Sequence, residues 1–167
     1  SGTAPAKVDA AINPAPLTLT DATIKTRPYQ YDYRGAEVSG LIFTGLVNGE
    51  TLALDTDYTA SGEFESADAG ENKKVTITVT LTSAKASNYT FTGGSVSFTG
   101  IITKADSSIT KVPTAAGITY GQALSDSALT GGEGSVAGAF TWTDGTIKPN
   151  AGTAQFSVTF TPNDTNY

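Results

Sequence analysis

The feature that most constrains the fold is a strict alternation of apolar and hydroxyl residues at residues 75–81, which read VTITVTL. This run follows an Asp-Ala-Gly turn at residues 68–70 and precedes an Asn-Tyr pair at residues 88–89. A period of two is typical of a β-strand that has one face on a core and the other face in water. The run therefore predicts a strand with four core residues, Val75, Ile77, Val79 and Leu81.

A degraded copy of this pattern closes the sequence. It has Ala-Gly at residues 151–152, an alternating run within residues 154–161 and Asn-Tyr at residues 166–167. The copy predicts a second strand with three core residues, Phe156, Val158 and Phe160. Because the same order of features occurs twice, we expect two tandem modules.

Short apolar runs and turn signals fill the rest of the chain, and they predict an all-β class. No window carries a sustained apolar stripe with helical spacing, so almost no helix is expected. Asn48-Gly49 is the strongest turn signal, because both central positions of a type I′ turn need a positive φ. Several short strands at regular spacing indicate two β-sandwich modules.

The predicted organisation has three parts: residues 1–16 form an extended leading segment, residues 17–104 a first module and residues 105–167 a second, truncated module. Prolines in the leading segment disfavour a central strand. If the modules are homologous, the second lacks its closing strand, which leaves an open edge at residues 154–161. We hypothesise that the leading segment around residues 7–12 pairs with this edge in a neighbouring molecule.

Composition excludes several functional classes. A net charge of −6 without a basic stripe argues against a nucleic-acid partner. No apolar run is long enough to cross a bilayer, so membrane insertion is not expected. The chain has no cysteine for a disulfide and no histidine for general-base catalysis or most zinc sites. We therefore expect no enzymatic activity and no catalytic residue.

Two groups of residues remain as candidate sites. Asp55 and Asp57 alternate on an extended stretch and are weak candidates for a calcium site, since hard cations favour carboxylate oxygens. No other metal or cofactor is expected. Tyr29, Tyr31 and Tyr33 are expected to be exposed and are the candidate ligand-binding residues.

Three further aromatic residues are predicted to be structural. Trp142 shares parity with Phe140 on one predicted strand, which indicates a core position. Tyr89 and Tyr167 each follow an asparagine at the same place in the two modules. Such a tyrosine can tie down a loop through its hydroxyl group, as in the tyrosine corner of immunoglobulin-like domains.

The first module resembles the bacterial YDG/MBG-type surface repeats, which are related to immunoglobulin-like modules. The resemblance rests on residues 16–20 (PLTLT), 45–50 (GLVNGE), 67–73 (ADAGENK), 88–89 (NY) and 102–105 (ITKA). The Tyr-Asp-Gly signature is present in altered form at residues 31–35 (YDYRG). The second module looks like a related repeat of Firmicutes surface proteins, through residues 118–122 (ITYGQ), 141–142 (TW) and 160–167 (FTPNDTNY).

The resemblance implies tandem immunoglobulin-like modules in a large secreted or wall-attached bacterial protein. On that basis we expect a non-catalytic structural repeat, a spacer or stalk that projects a distal domain from the cell surface. Its partners would be neighbouring repeats of the same chain. The alternative is an adhesin or carbohydrate-binding module, in which exposed aromatic residues and loops bind a glycan or a host protein.

Overall fold

The computed structural model describes residues 4–5, 7–91 and 95–167, and they form an all-β chain, as predicted. Two one-turn 3-10 helices, η1 (Ala86–Asn88) and η2 (Leu124–Asp126), interrupt the strands. Eight strands lie in the first part of the chain: β1 (Ala15–Ile24), β2 (Arg27–Pro28), β3 (Gly35–Ala36), β4 (Val38–Thr44), β5 (Tyr58–Phe64), β6 (Gly70–Leu81), β7 (Tyr89–Phe91) and β8 (Ser95–Thr103). Six follow: β9 (Ile109–Lys111), β10 (Thr114–Ala115), β11 (Leu129–Thr130), β12 (Glu133–Gly134), β13 (Gly138–Trp142) and β14 (Val158–Pro162).

The chain divides into two compact units. The first unit comprises Ser1–Arg27, Tyr31–Ala67 and Glu71–Ile101. The second comprises Ile102–Tyr167 together with two short segments from earlier in the sequence, Pro28–Gln30 and Asp68–Gly70.

The first unit contains two sheets in a sandwich-like arrangement. One sheet has the strand order β4-β1-β7, and the other has the order β2-β8-β6-β5-β3. Strand β1 is antiparallel to β4 and parallel to β7, where Ala15 pairs with Tyr89 and Leu17 with Phe91. This strand begins at Ala15, two residues before the predicted start of the module.

The core of the first unit follows the predicted alternation. Val75, Ile77 and Val79 in β6 are buried, whereas Leu81 at the end of the strand is half-buried. Leu17 and Leu19 on β1 and Phe64 on β5 are also buried, since alternate residues of these strands face inward. Each such side chain stabilises the fold by about 1.5–3 kcal/mol relative to an exposed position.

The second unit is built from three two-stranded sheets, β10-β11, β12-β9 and β13-β14. Phe156, Val158 and Phe160 are half-buried, whereas the residues between them are exposed. The predicted alternation is therefore right, although none of the three side chains is fully buried. The predicted strand start at residue 154 is wrong, because β14 begins at Val158. Residues 153–157 lie outside the strands, and Gly152, directly before them, has a φ of +132°.

Strand β14 has a partner on one side. It pairs with β13 in antiparallel register, with Phe140 opposite Phe160 and Trp142 opposite Val158. The described strands pair none of their residues with its other edge. Its counterpart in the first unit, β6, lies instead between β5 and β8. Among the described residues, no helix is long and apolar enough to span a membrane.

Candidate functional site

The turn at residues 47–50 has the geometry that its sequence predicts. Asn48 and Gly49 have φ values of +55° and +70°, as a type I′ turn requires. The N–H of Glu50 donates to the carbonyl oxygen of Val47 at 3.0 Å and closes the turn.

Tyr89 holds this turn from a distant position in the sequence. Its ring is buried, and its hydroxyl donates to Glu50 Oε2 at 2.7 Å while accepting from the N–H of Val47 at 3.2 Å. The Val47 hydrogen bond favours the tyrosinate, but the Glu50 carboxylate and desolvation outweigh it and raise the pKa of Tyr89. The predicted role for this tyrosine, a hydroxyl that ties down a loop, is confirmed.

The amino end of β1 lies beside Tyr89. The parallel pairs Ala15–Tyr89, Pro16–Thr90 and Leu17–Phe91 join the first residues of β1 to β7. The other end of β1 lies against the carboxyl end of β8. Ile24, the last residue of β1, is so close to Gly100 of β8 that a Cβ added to this glycine would lie 2.8 Å from Ile24 Cγ2. The chain therefore enters the first unit at one end of β1 and leaves it near the other.

Asp57, one of the two calcium candidates, is buried and fully engaged by protein groups. Lys85 Nζ lies 2.8 Å from its Oδ2, the N–H of Ala53 donates to Oδ2 at 2.9 Å, and the hydroxyl of Ser83 donates to Oδ1 at 2.7 Å. Lys85, Ala53 and Ser83 lower the pKa of Asp57 to about 2.

Asp55 differs from Asp57 in its environment. It is exposed and adopts a left-handed φ of +62°. The described part of the chain contains no group of three or more His, Cys, Asp or Glu residues that could hold a metal ion. Calcium binding at these two residues stays a prediction, and it would require Asp57 to exchange its present partners.

The three candidate tyrosines do not form one exposed group. Tyr31 is 87% exposed, but Tyr29 is only 8% exposed, so the expectation that it is exposed is wrong. Within the second unit, its ring packs edge-on against Tyr167 at a centroid distance of 5.6 Å. Asp32, with φ +54°, turns the chain beside Tyr31, whereas Tyr29, before this turn, is buried.

Tyr33 has a structural contact on one face. It is 52% exposed, and the guanidinium of Arg27 lies 4.9 Å from its ring centroid. Arg27 also donates to the carbonyl oxygens of Tyr33 and Gly35. Of the three tyrosines, Tyr31 therefore offers the most free ring surface.

Asn166 is a structural residue that the sequence marked only by its recurrence. It is buried in the second unit, where its Oδ1 accepts from the N–H of Ala69 at 2.8 Å and its Nδ2 donates to Asp68 Oδ1 at 3.3 Å. Its carbonyl oxygen accepts from the N–H of Ala105 at 2.8 Å, and its own N–H donates to Asp164 Oδ1. Four hydrogen bonds thus converge on one amide residue.

An uncharged groove opens in the second unit. Its cavity volume is about 480 Å3, and Tyr120, Trp142, Phe156 and Asn150 contribute side chains to it. Residues 115–119 and 149–154 also line it, and all of the described lining residues are uncharged. No local sequence pattern predicts this groove, because it brings together segments about 30 residues apart.

Trp142 is one of the residues that line this groove. Its side chain is half-buried, and its Nε1–H donates to the carbonyl oxygen of Ser127 at 2.9 Å. Phe140, two residues earlier, contacts Phe160 at a centroid distance of 5.1 Å. The predicted core position of Trp142 is therefore only partly right, since part of its ring remains accessible. Tyr120, another lining residue, is 74% exposed.

A family model described as the YDG domain matches residues 13–96, half of the chain. No curated protein and no solved structure gives a significant match.

Proposed function

The chain belongs to the YDG domain family, and from this premise we propose that it is a non-catalytic spacer module of a bacterial surface or secreted multidomain protein. In this role the first unit transmits tension along a stalk and keeps a distal domain away from the cell. Its partners are neighbouring repeats of the same chain, and its location is extracellular, at the cell surface or cell wall.

The observation that carries the proposal is the parallel pairing of β1 with β7. Tension applied at the amino end of β1 and at the carboxyl end of β8 acts along the axis of β1, since these two points lie at opposite ends of that strand. Sliding β1 past β7 and β4 requires many ladder hydrogen bonds to break together, rather than one after another. This arrangement suits a module that resists tension.

The dimensions of β1 support the same role. Its ten residues span about 30 Å at the usual strand rise, and the chain enters and leaves the first unit at opposite ends of that length. Each such unit would therefore extend a stalk by a distance of this order. The chain has no cysteine, so no disulfide contributes to this resistance.

Single-molecule force spectroscopy on the whole chain tests the proposal. Thr90→Pro introduces proline at an exposed position of β7 opposite Pro16, removing an N–H and restricting the backbone. Ile77→Val is the control, because it deletes one buried methyl group from β6 and costs about 0.5–1.5 kcal/mol.

For each variant, the loss in unfolding force is divided by its loss in free energy of unfolding. We expect this ratio to be larger for Thr90→Pro than for Ile77→Val. Equal ratios for the two variants would contradict a mechanical role for the β1–β7 pair.

The groove favours a second candidate function, recognition of a neutral glycan. Sugars present apolar C–H faces that pack on aromatic rings, and hydroxyl groups that pair with amides and main-chain groups. Tyr120 and Trp142 supply rings, while Asn150 and the groove walls supply polar groups without charge. An uncharged lining fits a neutral ligand better than an anionic one.

Binding of the intact chain to an array of neutral oligosaccharides tests this candidate, with isothermal calorimetry on any hit. Binding that Tyr120→Ala abolishes and Tyr31→Ala leaves intact would support the groove. If only Tyr31→Ala removes binding, the glycan site lies at the turn that carries Tyr31 rather than in the groove. If no oligosaccharide binds saturably, only the spacer role is supported.

A further inference from the structure

The free edge of β14 presents unpaired backbone groups in a defined pattern. Thr143 N–H donates to the Ser157 carbonyl at 3.0 Å, and Asn163 N–H donates to the Ala137 carbonyl at 2.9 Å. In an antiparallel pair the residues that exchange hydrogen bonds alternate along the strand. The odd-numbered residues of β14 therefore point their backbone groups towards β13, and the even-numbered residues point theirs to the opposite edge.

This edge is short and partly apolar. Val158 and Phe160 each offer one N–H and one carbonyl there, whereas Pro162 offers a carbonyl alone. The side chains of Val158 and Phe160 are half-buried on one face of the sheet, so an added strand would cover more of them. An exposed edge of this kind is a template for another strand.

The leading segment has the complementary properties. Residues 7–14 belong to no strand, and Val8 and Ile12 are 89% and 92% exposed. Val8, Ala10 and Ile12 alternate with polar or small residues, which is the pattern of a strand with one apolar face. Within the described part of the chain, both an unpaired edge and an unpaired strand-like segment thus exist.

We propose that residues 7–12 of one copy of this chain add as a strand to the free edge of β14 in a second copy. Main-chain hydrogen bonds to Val158 and Phe160 supply the pairing, and Val8 and Ile12 extend the apolar face. The position matches that of β8 beside β6 in the first unit. Because Pro162 limits the paired length, the association is weak and depends on concentration.

Disulfide trapping between two singly substituted proteins tests the geometry, since the natural chain has no cysteine. Asp9→Cys lies on the polar side of the leading segment, and Thr159→Cys lies on the exposed face of β14. Thr141→Cys is the matched control, because it lies directly opposite Thr159 on β13 and is equally exposed.

A mixture of mass-distinguishable copies is oxidised mildly, and the cross-linked peptides are quantified by mass spectrometry. The proposal predicts more disulfide between Asp9→Cys and Thr159→Cys than between Asp9→Cys and Thr141→Cys. Equal or reversed yields would overturn it.

Sedimentation velocity supplies an independent readout without a cross-link. Self-association should rise with concentration in the natural protein and fall with Ile12→Asp, whereas Ala11→Asp, on the opposite side of the segment, should retain more of it. Both substitutions lie outside the strands, so folding is preserved. A monomer at all concentrations, or equal effects of the two variants, would contradict the proposal.

Discussion

The hydroxyl of Tyr89 lies 2.7 Å from Glu50 Oε2, although 39 residues separate them in the sequence. The same hydroxyl accepts from the N–H of Val47, so one side chain fixes both ends of a type I′ turn. Because Tyr89 also pairs with Ala15, this contact links the turn to the amino end of β1.

Tyr89→Phe is expected to destabilise the first unit while preserving its core. The phenylalanine ring fills the same space, but the N–H of Val47 and the carboxylate of Glu50 lose a partner. We expect the equilibrium constant for unfolding to rise about tenfold in urea titrations followed by circular dichroism. Tyr31→Phe, at an exposed ring, is the control and should change nothing; a similar effect from both variants would contradict this assignment.

Asp57→Asn should remove a pH dependence of stability. The pKa of Asp57 is about 2 in the folded chain, below the ordinary aspartate value of about 4. Its contribution to stability is therefore complete above about pH 4 and is lost as the pH falls towards 2. The free energy of unfolding of the natural protein should fall between about pH 4 and pH 2. Asp57→Asn should be less stable at neutral pH, and its free energy of unfolding should fall less over the same range.

Denaturant titrations at several pH values measure this effect. Asp55→Asn, an exposed substitution in the same loop, is the control. Its free energy of unfolding should change with pH as steeply as that of the natural protein. An unchanged slope in Asp57→Asn would show that the Lys85 pair does not set this dependence.

Asn166→Ala should destabilise the second unit by about 1–3 kcal/mol, because the half-buried N–H of Ala69 loses its acceptor. Trp142 is the single tryptophan and belongs to this unit, so its fluorescence reports the transition. Asn163→Ala, at an exposed asparagine nearby, should shift the midpoint little. Equal shifts in the two variants would argue against a stabilising role for the Asn166 side chain.

Gly62→Ala should cost about 1–3 kcal/mol through overpacking. A Cβ at this position in β5 would lie 2.6 Å from Val38 Cγ1 and 2.9 Å from the carbonyl oxygen of Ala36. Gly117→Ala is the matched control, since no atom lies within 4 Å of its added Cβ. Thermal unfolding of both variants measures the difference, and a neutral Gly62→Ala would show that β3 and β4 can move aside.

The sequence predicted those features that depend on local pattern. The alternation in β6 marked Val75, Ile77 and Val79 as core, because strand geometry alone fixes which side chains share a face. The turn at Asn48-Gly49 was equally predictable, since few residues tolerate two successive positive φ values.

Features that depend on tertiary contacts were not predictable in the same way. The tyrosine-rich turn suggested that Tyr29 would be exposed with Tyr31, but the ring of Tyr167 packs against that of Tyr29. The groove around Tyr120 and Trp142 joins distant segments, so no local pattern reveals it. The late start of the second strand, at Val158 rather than residue 154, is likewise not visible in the alternation.

The central claim is that the first unit resists tension along β1. Two pairs of engineered cysteine handles test it by force spectroscopy: Pro14→Cys with Ile101→Cys pulls from opposite ends of β1, whereas Pro14→Cys with Ser87→Cys pulls from the same end. The first geometry loads the β1–β7 hydrogen bonds together, and the second peels them apart in turn. We predict a clearly higher unfolding force for the first pair; an equal or lower force would contradict the account.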